Sequence, residues 1–322
     1  MEEKRYLVSV VIPAFKRSDL LRKAVESLLI IDLPPDQWEA MVVDGSPDDQ
    51  NEQIVNEIAA RAPFRLRYVR KEPEGPGPSR NLGVALTSGN YIAFMDSDCL
   101  ATPGWLRAGL AAFRDDIGII QGRTLPDPWG VPTKRTYYVR VEQETPFYET
   151  ANVFYRRTAF EQSGGFPKDL HPRREKHMGG EDVVAAWTVI RKGWKTGFCP
   201  EALVYHALVE LSLLHSLFIK HHFVVPWLVG KFPELRRFMY ARYFLNRAQA
   251  FIALAFAGAV LALSVHWIFW TLALPYVVMK FSEPANARGI VRPVRLLVHM
   301  IRDISTFGVL LAGSLRFRCF VL

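Results

Sequence analysis

The chain has 322 residues, half of them apolar, and a formal net charge of +8 at pH 7, enough for one large domain with an appendage or for two ordinary domains. Its three cysteines, Cys99, Cys199 and Cys319, lie far apart with no C-x-x-C spacing, which argues against a disulfide framework or structural zinc and fits a reducing compartment. The basic balance admits nucleic acid, an anionic membrane surface or phosphorylated substrates, and no zinc-finger spacing, Lys/Arg-rich oligomer or aromatic RNA-binding signature supports the first.

The N-terminus, MEEKRYLVSVVIPAF, carries two glutamates and an apolar run that Pro13 interrupts, so it reads as a first strand and not as a secretion signal. From residue 7 to about 122, short β-rich runs alternate with helical patterns, which predicts a parallel α/β sheet. LVSVVIPAF (7–15) is a buried strand, and Ser18 or Asp19 caps a helix whose Leu20, Leu21, Ala24, Leu28 and Leu29 share a face. WEAMVVDG (38–45) and the basic FRLRYVR (64–70) are the next strands. PSRNLGVALTSG (78–89) predicts a helix ending at Gly89, and YIAFMDSD (91–98) a strand.

On a strand, Asp96 and Asp98 would share one face at roughly 7 Å spacing, and their repulsion calls for a divalent cation or an arginine unless they sit in a solvated turn. Ligands of such sheets bind beyond the carboxyl ends of the strands, where Asp44, Asp96 and Asp98 would all converge. After DIGIIQG (116–122) comes a stretch with Pro126, Pro128, Pro132 and Pro146, too long for an ordinary connection and expected to lie over a site. ANVFYRRTAFEQSGGF (151–166) predicts a strand and a short helix ending at Gly-Gly, GGEDVVAAWTVIRKGW (179–194) a helix with acids first and bases last, and TGFCPEALVYH (196–206) a closing strand. His171 and His177 fall in a basic loop (169–178), read as a lid or a solvated loop, and the adjacent His221 and His222 as interfacial polar residues.

Residues 248–279 contain no Asp, Glu, Lys or Arg. As one helix this run would be roughly 48 Å long, more than the ~30 Å hydrocarbon core. Ser264, His266 and Pro275 argue against one uninterrupted span, and basic clusters on both flanks favour a bent, re-entrant pair of helices with both flanks cytoplasmic. Segments 211–229 and 294–317 mix apolar runs with basic residues, as interfacial helices do, or else form a buried helical subdomain. The basic residues beside these helices point to anionic lipid as the partner.

In order, VVIPAFKR, VVDGSPDD, GPGPSRNLGVALTSGNYIAFMDSDC and GGEDVVAAWTVIRKGW resemble the GT-A glycosyltransferases of family 2, over roughly residues 7–206. The resemblance implies an α/β fold with a mostly parallel sheet flanked by helices over 1–206, followed by membrane-associated helices over 207–322. It implies an inverting transfer of sugar from a nucleotide-diphosphate sugar to a glycan or lipid-linked oligosaccharide at the cytoplasmic membrane face, helped by Mn²⁺ or Mg²⁺. Asp98 matches the direct metal ligand of the family's D-x-D, with Asp96 a second ligand near the ribose. Asp44 matches the acid that holds base or ribose, and Pro13, Ala14 and Phe15 the strand end lining the base, although Phe15 and Lys16 stand where the family often has tyrosine and asparagine. Arg80, with Asn81 beside it, is placed to meet phosphate. Asp182 matches the catalytic base and Glu181 shapes the acceptor site, roles that the two acids can exchange. His206 is either a metal ligand or a structural histidine.

The alternatives are a polyprenyl-phosphate sugar transferase, a processive synthase disfavoured by the missing Q-x-x-R-W, and a sugar-nucleotide pyrophosphorylase, which would want a Gly/Arg-rich loop where PAFKRSD stands. A non-catalytic membrane scaffold is disfavoured because every expected charged position is filled. GPGPSR lacks the third glycine of a dinucleotide fingerprint and follows the third strand, not the first.

Overall fold

Alternate residues along the central strands enter two different cores, as a sheet covered on both faces requires. Val10 and Ile12 pack with Leu21, Val25, Val55 and Trp105, whereas Val11 between them packs with Val84, Phe160 and Ala185. The computed structural model describes residues 5–133, 136–167, 170, 179–212, 220–282 and 292–322. The chain divides into two units, Met1–Glu210 and Leu211–Leu322.

The first unit runs β1 (Val8–Ala14), α1 (Ser18–Ser27), β2 (Trp38–Asp44), α2 (Gln50–Ala59), β3 (Arg65–Arg70), α3 (Pro76–Ala85), β4 (Tyr91–Met95), β5 (Cys99–Ala101), α4 (Trp105–Ala111), β6 (Ile117–Pro126), β7 (Thr136–Tyr137), β8 (Asn152–Arg156), α5 (Arg157–Ser163), α6 (Glu181–Arg191), β9 (Lys195–His206) and β10 (Val209–Glu210). Eight strands form one sheet in the order β3-β2-β1-β4-β8-β6-β9-β5, while β7 and β10 pair separately. Strands β1 to β4 are mutually parallel, and β8 and β5 run antiparallel to their neighbours. Helices α1, α2 and α4 cover one face and α3, α5 and α6 the other.

Three expected boundaries move. Helix α3 begins at Pro76, two residues before the expected start, because proline suits the first helical turn where its missing N–H costs nothing. It ends at Ala85, where Thr87 Oγ1 donates to the carbonyls of Gly83 and Val84. Gly89 is therefore not the helix cap, and it is glycine for another reason: a methyl group there would stand 2.5 Å from the backbone N of Ser9. Strand β4 stops at Met95, so the two aspartates lie beyond its end and not on it.

In the second unit, 3-10 residues Lys220–Val224 lead into a helix Val225–Lys231, followed by helices Arg247–Ser264, Leu274–Ser282 and Arg292–Phe317. Of the region expected as one helix over 211–229, residues 211–212 are not helical, and 213–219 lie outside the described residues. So do His171, His177 and the rest of the basic loop except Leu170, as well as the side chain of His221.

The pairing of β6 with β9 slips between Gly122 and Arg123. Asn152 repairs the slip: its Nδ2 donates to the carbonyls of Arg123 (2.8 Å) and Ala202 (2.7 Å), and its Oδ1 accepts from Trp105 Nε1. Replacing Asn152 by leucine strands two buried carbonyls and an indole N–H, each worth about 1–3 kcal/mol. Asn152→Leu should cost the full chain about 3 kcal/mol in urea unfolding, whereas a loss under about 0.5 kcal/mol would contradict this assignment.

Candidate active site

The strand order reverses between β1 and β4, so the carboxyl ends of β2, β1 and β4 open side by side onto the crevice where such sheets take ligands. The turn after β4 closes with Cys99 N–H donating to the Asp96 carbonyl. Strand β5 follows and pairs Cys99 with His206 at the end of β9, which brings that histidine to the aspartates.

The two carboxylates divide between different cations. Asp96 Oδ1 accepts from Arg80 Nη2 at 2.7 Å, and Asp98 Oδ2 from Arg17 Nη1 at 3.2 Å. On its other side, Asp98 Oδ1 lies 3.6 Å from His206 Nε2. His206 Nδ1 stands 2.7 Å from the Ala207 carbonyl, a contact in which Nδ1 must carry the proton and which holds Nε2 toward Asp98. Burial raises the Asp98 carboxyl above the ordinary carboxylate range, against the pull of His206. A carboxylate and an imidazole nitrogen side by side are a donor set for a divalent cation, and Asp98, Cys99 and His206 bring ligand atoms within 4.8 Å of one another. Burial, and then the charges of Asp96 and Asp98, push the Cys99 thiol well up. It stays protonated and is no ligand for a hard cation.

Arg80 is 4% exposed and holds three elements. From α3 it reaches the Asp96 turn and, at 3.4 Å, Glu181 Oε1 at the start of α6, with its guanidinium over the Phe166 ring. It stands in the second turn of α3, and Pro76 and Pro78 remove two N–H groups from the first, which leaves few backbone donors there for an anion. Gly179 (φ 69°) and Gly180 (φ 94°) both take the left-handed conformation that L side chains avoid, which sets the entry of α6. Asp182 Oδ1 accepts from Val183 N–H, and burial, then the charge of Glu181, lift its carboxyl well above the usual range.

Asp44 is fully buried. Its Oδ1 accepts from Ser46 N–H and Oγ and its Oδ2 from Tyr68, while Ser46 Oγ in turn accepts from Lys16 N–H and Asn51. It thus ties the loops after β1 and β2 together. Pro13 and Ala14 pair with Val43 and Asp44, and the Phe15 ring projects beyond them, 52% exposed. Asn81 uses both ends of its amide on the Phe166 backbone, Nδ2 to O at 2.7 Å and Oδ1 from N at 2.9 Å, and is spent on the fold.

Three further groups belong here that the sequence reading passed over. Arg17 reaches Asp98 because Lys16 and Arg17 both take left-handed φ (57° and 53°), a cost of order 1–3 kcal/mol each; no glycine marks the turn. Tyr137, in the long proline-rich stretch, sets its ring edge-on to His206 at 5.9 Å. Glu149 accepts from Gln121 and Thr145 and adds to the negative field on Asp182.

A doubly covered, mostly parallel sheet with paired acids at its switch point and a helix-borne acid facing them defines the GT-A class of transferases. Residues 9–167 match the model of Glycosyl transferase family 2. Within the first unit, residues 9–167 are a domain of that family. Curated relatives include Glycosyltransferase AglE of Haloferax volcanii, 23% identical over 62% of this chain and 66% of its own. The O-antigen chain rhamnosyltransferase RfbN of Salmonella typhimurium is 24% identical, with the same shares. Across the curated relatives it matches, this chain spans between 15% and 66% of their length. Among solved structures, a mannosyltransferase from Pyrobaculum calidifontis in complex with GDP-Man and Mn²⁺ superposes with a TM-score of 0.60 at 18% identity, over 98% of this chain and 87% of that one.

Arg17 already occupies Asp98 Oδ2, so if a metal ion binds at Asp98, Arg17→Ala should raise the affinity of the free protein for Mn²⁺ several-fold, read by electron paramagnetic resonance. Unchanged or weaker binding would show that the two do not compete.

Proposed function

We propose that the protein is a metal-dependent, inverting glycosyltransferase that moves a sugar from a nucleotide-diphosphate sugar to a glycan or lipid-linked oligosaccharide at the cytoplasmic face of a membrane. The observation that carries the reading is the buried Arg80, which joins Asp96 to Glu181 and so sets the donor acids opposite the acid-bearing helix at one sheet edge. The complex of the mannosyltransferase with GDP-Man and Mn²⁺ and the O-antigen role of RfbN support the donor and acceptor classes.

In this reading the exposed ring of Phe15, with Pro13 and Ala14, receives the base, and Asp44 positions that edge through Ser46 and Tyr68. Asp98 and His206 would hold the metal, with Asp96 beside them; carboxylate and imidazole together favour Mn²⁺ over Mg²⁺. When bound, the metal neutralises the departing diphosphate as a Lewis acid. Arg80 adds a fixed positive charge to that wall, and Asn81 holds Phe166 beneath the guanidinium. Asp182 accepts the proton of the acceptor hydroxyl while Glu181 and Glu149 shape its field.

A raised carboxyl is a stronger base, and it must be ionised to act. Activity should therefore rise with pH along an acidic limb that lies above the ordinary aspartate value of about 4; a limb at that value would contradict the base assignment. Asp182→Asn should lower kcat by about 10²–10⁴-fold with donor binding retained, and unchanged transfer would remove it as base. Thermal-shift screening of sugar nucleotides with Mn²⁺ should identify one donor, whose binding is lost in Asp98→Ala; tight binding indifferent to chelator would contradict the metal role. The second reading, transfer to a polyprenyl phosphate, is separated by offering labelled donor with either bare lipid phosphate or lipid-linked glycan: product on the bare phosphate would overturn the first choice.

A further inference from the structure

The charge-free run of the second unit does not form one rod. Helix Arg247–Ser264 ends at Val265, and His266 caps a 3-10 stretch, Trp267–Ala273, by accepting from Ile268 N–H. Leu274–Ser282 continues the same arm. The arms lie against each other at Gly258, where an added methyl group would stand 2.6 Å from the Phe269 carbonyl oxygen and 2.8 Å from Leu272 Cβ. Their lengths match: eighteen residues at α-helical rise give roughly 27 Å, and seven 3-10 plus nine α-helical residues give roughly the same.

Both ends of this hairpin meet one residue. Asp303, on helix Arg292–Phe317, pairs with Lys280 Nζ at 2.8 Å and accepts from the Tyr276 hydroxyl at 3.0 Å, both from the second arm. Its backbone carbonyl accepts from Gln249 Nε2, in the first turn of the first arm, at 3.3 Å. The chain thus leaves the charge-free run at the level where it entered. Away from this base the arms are apolar and outward-facing: of the first helix only Gln249, Ile252 and Gly258 are buried, while Leu263 is 83% and Trp267 68% exposed. Positive charge gathers at the base, in Arg236, Arg237, Arg242 and Arg247 before the first arm.

We propose that residues 247–282 form a re-entrant hairpin that dips into the lipid bilayer tip first and returns to the leaflet it entered, without crossing. An apolar tip with a cationic base complements acyl chains beneath anionic headgroups, and arms of roughly 27 Å are too short to carry the polar bend at Ser264 and His266 out through the far side of a ~30 Å core, although an upright hairpin brings it near the far headgroups. This rests on the membrane-face reading above and replaces a single crossing by the helix Arg247–Ser264, which is long and apolar enough for one.

The test uses the full chain in bacterial membranes, with Cys319→Ser removing the partly exposed native thiol and single cysteines placed at Arg247→Cys, Ser282→Cys and Leu263→Cys. A membrane-impermeant maleimide is applied to spheroplasts and to inverted vesicles, and transfer activity is measured in detergent so that loss of chemistry and loss of topology are read separately. The hairpin predicts that both base positions label in inverted vesicles and not in spheroplasts, while Leu263→Cys is protected in inverted vesicles until detergent is added. Ser282→Cys labelled only in spheroplasts means a crossing and overturns the hairpin. Leu263→Cys labelled as readily as the base in inverted vesicles leaves the tip in water and overturns insertion. A chain recovered in the soluble fraction as an oligomer that hides the tip makes the occupant a second copy and overturns the bilayer.

Discussion

The guanidinium of Arg80 is the interaction on which the site depends. It is buried, and its Nε has no hydrogen-bond partner, so the charge rests on the carboxylates around it, Asp96 and Glu181 in contact and Asp182 nearby. Removing one acid would leave a buried charge half-compensated, a loss of about 3–5 kcal/mol when a buried pair is broken. The same contacts give the site its shape: Arg80 comes from α3, Asp96 from the turn after β4 and Glu181 from the start of α6, beside Asp182. The pairing that holds the fold at this edge therefore also sets how far Asp96 stands from Asp182.

The second consequence concerns charge without ligand. Three aspartates and two glutamates converge here, and the structure spreads the resulting repulsion over Arg80, Arg17 and, at Asp182, a carboxyl held toward its neutral form. Arg17 does this from a strained loop on a half-exposed side chain, so it is the cation that yields most cheaply. A site built this way opposes a divalent ion arriving alone and favours one arriving with a diphosphate that can take over the arginine.

Much of the site was legible in the sequence because its residues lie at strand ends and helix starts, where local pattern fixes position. Asp96, Asp98, Arg80, Glu181 and His206 do meet at one edge, and Asp182 lies beside Glu181. The pairing of acids with arginine was also open to sequence reasoning, but which arginine meets which acid was not, since Arg17 reaches Asp98 only through two left-handed residues without a glycine signal. The aspartates were expected on a strand face and sit instead on a turn, because hydrophobic pattern marks where a strand runs better than where it ends. Asn81 and Asp44 read as ligand contacts, while their polar atoms are engaged by Phe166 and by Ser46 and Tyr68. Contacts across long sequence separations, such as Asp303 with both arms of the apolar hairpin, leave no local signature.

The central claim is a single displacement in which Asp182 deprotonates an acceptor hydroxyl opposite a metal-held diphosphate. The most direct test is the anomeric configuration of the product, read by proton NMR of the first linkage formed by the full chain from an α-linked sugar nucleotide with Mn²⁺. The account predicts a β-linked product that disappears when the metal is chelated. An α-linked product, or transfer that continues undiminished without metal, would contradict it.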